Sequence, residues 1–192
     1  MSMTKDSIIT LPNTHLRERS KNIGIITNEI NKLADDMISA TLDWEESRDH
    51  ELGVALAAIQ VDQHYRLVVV RSDFDNKDDT SFQVFINPEI TKYEGKIISD
   101  LEGCLSVPDI YGQVPRYEKI RLKAKTLDGS SIRLSLDGFI ARILQHEIDH
   151  TNGRLFIDHI KESESAFYKL NKSGELESLD YEENIRENSI LW

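Results

Sequence analysis

The chain has 192 residues, 39% hydrophobic and 30% charged, which is the size and balance of one folded domain with a modest core. Its 23 Lys and Arg against 34 Asp and Glu leave a net charge of −11, which argues against direct nucleic-acid binding. The apolar runs Val54 to Ile59 and Leu67 to Val70 fall far short of the roughly 18 residues of a membrane span. With Cys104 as sole cysteine and no signal core or Arg-rich leader at the N-terminus, a reducing cytoplasm is expected.

Between Asn28 and Thr41, Ile30, Leu33, Ala34, Met37 and Ile38 recur at helical spacing and predict an amphipathic N-terminal helix. The polar stretch Asp43 to Glu51 is too densely charged to bury and is expected as a loop or a frayed helix end. Short β-rich runs follow at Arg66 to Arg71, Phe82 to Ile86 and Glu94 to Ile98, separated by turn formers. Lys119 to Thr126 and Ile132 to Leu136 alternate across Asp128-Gly129 and read as a hairpin. From Asp137 the period is helical again, with Asp137 as N-cap and Gly153 as the stop. Residues 161–192 carry eight acids and four bases, an acidic tail expected to be helical or partly disordered, with Ile190, Leu191 and Trp192 able to dock at its end.

On the second helix, His146-Glu147-Ile148-Asp149-His150 matches HExxH, in which two imidazoles one turn apart can share a metal ion. At about 100° per residue, Ile140, Ile143, Leu144 and Ile148 share a face with Glu147, whereas Arg142, Gln145 and Asp149 fall opposite. Glu147 is therefore aimed inward, either as a general base or as half of a buried ion pair with Arg116 or Arg142. A metal needs a third protein ligand. The extended pattern HExxHxxGxxH fails, because Phe156 stands at its last histidine. Glu162, Glu164 and Glu175 lie in an acidic segment where no spacing singles one out. Cys104 is the remaining strong ligand, although a lone cysteine is ordinarily a small buried hydrophobe.

Three segments occur together: Gly53-Val54-Ala55-Leu56-Ala57-Ala58-Ile59-Gln60, Glu102-Gly103-Cys104-Leu105-Ser106-Val107-Pro108, and His146 to His150. Jointly they resemble the three signature motifs of peptide deformylases. The resemblance runs from about Ile8 to Ile160, so 1–160 is expected to be the catalytic domain and 161–192 a tail. Ala55, Ile59, Asp62 and Thr151 depart from the usual pattern.

The resemblance implies an α+β fold, with antiparallel sheets and hairpins packed around a central HExxH helix and an N-terminal helix. It implies removal of formate from N-formyl-methionyl nascent peptides, with transient ribosome contact and no membrane partner. Cys104, His146 and His150 would hold one divalent metal, Fe(II) by resemblance, with zinc, nickel or cobalt also permitted by the donors. Glu147 would carry the proton, while Gln60 and the Leu105 backbone N–H stabilise the oxyanion. Gly53, Val54, Ala55 and Gly103 would bind substrate backbone, and Val54, Phe139 and Ile143 would receive the methionine side chain. The competing readings are an HExxH metallopeptidase, an amidase acting on other N-acyl peptides, and a catalytically retired binding module.

Overall fold

The computed structural model describes residues 2–48, 50–171, 173–188 and 191–192. The first helix, α1 (Asn28–Glu46), buries the expected stripe of Ile30, Leu33, Ala34 and Met37. It runs on through Asp43 to Glu46, and Glu45 is buried. The reason is a partner that the local sequence does not contain. Arg71, itself fully buried, pairs with Glu45, whose Oε2 also accepts from the Gly53 N–H at 2.9 Å.

Seven strands among the described residues form one antiparallel sheet. They are β1 (Ala55–Ala57), β2 (Leu67–Arg71), β3 (Phe82–Cys104), β4 (Val107–Lys125), β5 (Ser131–Asp137), β6 (Phe167–Leu170) and β7 (Leu176–Ser178). Their order is β1-β2-β3-β4-β6-β7, with β5 also paired to β4. The second helix, α2 (Gly138–Thr151), follows β5 directly. In β1 and β2, Leu56, Leu67 and Val69 join the core under α1, whereas Ala55, Ala57, Val68 and Val70 join the core under α2. Both faces are covered, which is why β2 is apolar without alternation.

The β4–β5 hairpin keeps the expected register, with Ile120 opposite Leu136 and Leu122 opposite Leu134. The runs at Phe82 and Glu94 are parts of one long strand, β3, interrupted by register shifts. Residues 161–192, expected as helix or partly disordered, instead supply β6, β7 and one π-helical turn at Glu182–Arg186. Leu191 is buried beside Ile185 and Phe167, and the Trp192 indole N–H donates to the Ile185 carbonyl at 2.9 Å; Ile190 lies outside the described residues.

Candidate metal centre

α2 is buried almost all round because β4 covers the face opposite its apolar stripe. Arg142 and Gln145 are thus enclosed rather than solvated. Gln145 uses its amide on the Tyr117 backbone, accepting from its N–H at 3.1 Å and donating to its carbonyl at 2.8 Å. His146 and His150 project from one side of α2 toward the end of β3, where Cys104 sits. His146 Nε2 lies 3.1 Å from His150 Nε2, which lies 3.3 Å from Cys104 Sγ. All three donor atoms fall within 4.8 Å of one another.

Glu102 holds this arrangement. Its Oε1 accepts from Arg116 Nε at 3.0 Å and Arg142 Nη1 at 2.7 Å, while its Oε2 accepts from Arg116 Nη2 at 3.1 Å and faces His146 Nδ1 at 3.0 Å. Arg116 continues the network to Asp149, and His159 Nε2 lies 2.7 Å from the same carboxylate. Burial alone would push the Glu102 pKa up, but His146 and Arg116 hold its carboxyl far below the ordinary value. The two arginines are therefore spoken for, and the buried ion pair weighed for Glu147 is not made. Glu147 Oε2 is buried with no partner, and burial raises that carboxyl to about 7 against the opposing charge of His146.

Gln60 lies in the 3-10 turn Ala58–Val61. The Ala57 N–H donates to its Oε1 at 2.8 Å, which fixes the amide orientation and turns the NH2 toward Ser106 Oγ at 3.1 Å and Cys104 Sγ at 3.6 Å. Ala55 lies in the regular β1 strand opposite Val70, so the left-handed backbone that favours glycine is not required there; only its methyl group intrudes.

A cleft of about 120 Å³ brings together Val54, Ala55, Gln60, Gly103, Cys104, Leu105, Phe139, Ile143, His146 and Glu147. Gly53 does not line it, since its backbone is held by Glu45 and Arg71 behind β1. An adjoining cavity of about 400 Å³ shares Val54, Gly103, Cys104 and Leu105, and the tail residues Leu170, Gly174 and Leu176 wall its far side. A larger cavity of about 1040 Å³ lies near Arg66 and Arg133, away from these donors, so size does not locate the chemistry here.

The donors fit a metal on their chemistry. Two imidazoles and one thiol suit a borderline divalent cation. His146 has the carboxylate partner that orients a ligating imidazole. Glu102, Arg116 and Arg142 were the residues that sequence reasoning did not assemble. The available signal was an acid placed inside a strand two residues before the cysteine.

The family model for polypeptide deformylase matches residues 5–166. A peptide deformylase of Rhodopseudomonas palustris (strain TIE-1) is 41% identical over 180 residues, spanning 90% of this chain and 98% of that one. One of Agrobacterium fabrum is 41% identical over 158 residues, spanning 82% and 88%. The solved structure of a peptide deformylase from Synechococcus elongatus in complex with actinonin superposes with a TM-score of 0.72 at 32% identity, covering 79% of this chain and 78% of that one. That from Legionella pneumophila gives 0.72 at 35% identity, covering 82% and 86%.

Proposed function

This chain belongs to the polypeptide deformylase family, and on that premise we propose that Cys104, His146 and His150 hold one divalent metal ion beside Glu147, the proton carrier of the reaction. The protein is an enzyme that removes the formyl group from new polypeptides and releases formate. The family match over residues 5–166 does not favour a peptidase, another N-acyl amidase or a retired module. The observation that carries the site assignment is the convergence of three metal-ligating atoms on a cleft that also holds an unpaired, buried carboxylate.

A divalent cation at these donors supplies Lewis acidity, making water acidic enough to attack near neutral pH and drawing charge from the formyl oxygen. Ferrous iron is our choice of metal, with zinc, nickel and cobalt permitted by the same donors. The residues do the rest. As the water oxygen bonds to the formyl carbon, Glu147 Oε2 accepts its proton. When the C–N bond breaks, Glu147 returns that proton to the departing amine, and the hydroxyl proton left on the formyl group ionises to the N-terminal amine, leaving formate and a free, charged N-terminus. Gln60 Nε2 and the Leu105 N–H donate to the oxygen that becomes anionic, Gln60 releasing its long contact to Cys104 Sγ to do so while the Ala57 N–H holds its Oε1.

Val54, Phe139 and Ile143 receive the methionine side chain, with Ala55 and Gly103 along the substrate backbone. The peptide beyond it enters the adjoining cavity between Tyr111 and Leu176. We read residues 1–160 as the catalytic unit and 161–192 as an appendage that walls this exit. We place the enzyme in the cytoplasm, in transient contact with the ribosome. No helix among the described residues is long and apolar enough to cross a membrane.

The test is formate release from formyl-Met-Ala-Ser by protein purified without oxygen, with and without a strong chelator, and against the acetylated peptide. Chelator-sensitive release from the formyl peptide alone is expected. Release that survives complete metal removal would sink the ligand assignment.

A further inference from the structure

Away from the cleft, a second group of side chains among the described residues gathers metal-ligating atoms. His15 lies in the 3-10 turn Thr14–Arg17, Asp62 closes the turn Ala58–Val61, and His64 follows two residues later. His15 Nδ1 is 2.6 Å from Asp62 Oδ1, and His64 Nε2 is 3.5 Å from the same oxygen. One ligand atom from each of the three residues lies within 4.8 Å of the others. The other nitrogen of His64, Nδ1, faces Glu18 Oε2 at 3.2 Å. A carboxylate on the far nitrogen is what orients an imidazole toward a metal.

The backbone under these groups is fixed. The His15 N–H donates to Asn13 Oδ1 at 2.9 Å, the next residue, Leu16, is fully buried, and the His64 carbonyl accepts from the Lys21 N–H at 2.9 Å. Asp62 has a φ of 58° and a ψ of 30°, a left-handed conformation that glycine adopts without penalty and aspartate only tolerates. A carboxylate thus stands at a position whose backbone would accept glycine without strain.

We propose that His15, Asp62 and His64 form a second metal site, which takes a divalent first-row cation of the zinc class through two imidazole nitrogens and one carboxylate oxygen. The donors are of the type zinc prefers, and their side chains remain 46%, 45% and 33% exposed, which leaves room for water to complete the coordination. Binding displaces the proton between His15 Nδ1 and Asp62 Oδ1. The ion ties the turn at 14–17 to the turn that carries Gln60, so it acts as a brace on the N-terminal segment, not as a reactant. The alternative is a pair of exposed His–Asp ion pairs of little energetic weight.

Cobalt(II) separates this site from the first and does so whatever the first one catalyses. Full-length protein is titrated with excess cobalt and followed by native mass spectrometry and absorption. A thiolate-ligated cobalt gives an intense near-ultraviolet charge-transfer band, whereas a site of nitrogen and oxygen donors gives only weak visible bands. Two equivalents are expected in the natural protein, one of each spectral kind. His64→Ala should lose only the second kind, as should Asp62→Gly, a change that the left-handed backbone favours and that does not threaten folding. Formate release by both variants should be unchanged. Zinc added to protein whose first site is already filled should raise the melting temperature of the natural chain and of neither variant. Failure of the natural protein to bind any cobalt of the second kind overturns the proposal, as does a second equivalent that survives both substitutions. Absence of the charge-transfer band would count against Cys104 as a ligand and leave this site standing.

Discussion

The paired strands β3 and β4 carry cross-strand charges at both ends, and the two ends behave oppositely. At the outer end, Glu94 accepts from Arg121 Nε at 2.7 Å and from Lys92 Nζ at 2.7 Å, and Lys123 meets Glu89 at 2.9 Å. At the inner end, Glu102 meets Arg116 at 3.0 Å and Arg142 at 2.7 Å. The bonds are alike in kind and length. The environment is not: the side chains of Arg121 and Glu94 are 58% and 26% exposed, those of Arg116 and Glu102 only 4% and 5%. In water an ion pair gains little over its hydrated parts, whereas a buried one cannot lose a partner without stranding the other. The outer ladder decorates the sheet; the inner one fixes where His146 stands.

Breaking the inner end should therefore cost most. Within it, Glu147→Ala removes the proton carrier without touching the network, and turnover should fall by about 10² to 10⁴-fold while bound metal, measured by elemental analysis, stays. Glu102→Ala acts on the scaffold instead. It leaves Arg142 buried with no carboxylate and Arg116 with Asp149 alone, and should lower unfolding free energy by about 3 to 5 kcal/mol in urea titrations. It should also weaken metal binding by about 10 to 100-fold through His146. A loss no larger than that of an exposed pair would show that burial does not separate the two ends.

The chemistry at the inner end was more legible in sequence than its support. His146, Glu147 and His150 announce themselves by spacing, and Cys104 by being the only thiol in a matching segment. The hairpin from Lys119 to Leu136 was legible because its alternation is unbroken. Glu102 was not, since its partners lie 14, 40 and 44 residues away and no local pattern links them. The same distance effect hid Glu45, which reads as solvated until Arg71 arrives from 26 residues on. Strand β3 looked like separate pieces because register shifts near Glu89, Lys92 and Ile97 interrupt its alternation. Strand β6 has only four residues and takes its form from Ile110 to Gly112 of β4, a contact that composition cannot announce.

Ala55 tests the cleft at a finer scale. Its methyl group faces the site from a strand whose backbone is ordinary, so Ala55→Gly should alter formyl-peptide KM by less than about tenfold while leaving kcat near its natural value. A large change in kcat would mean that the methyl also displaces the reacting group.

The outer end provides the smallest effect and the sharpest contrast. Arg121 and Lys92 hold the Glu94 carboxyl down at about 2, a larger displacement than most exposed groups show. A lowered pKa contributes stability above the ordinary carboxylate range that disappears as pH falls toward 2. Because Glu94 stands in water, screening should remove most of that contribution. Carboxyl titration by NMR should give a midpoint near the lowered value in dilute buffer and closer to the ordinary one in concentrated salt. Glu94→Gln should leave the urea midpoint at neutral pH unchanged within error. If that substitution destabilised the protein as Glu102→Ala does, the shifted titration would be reporting fold stability at both ends, and exposure would no longer explain the difference between them.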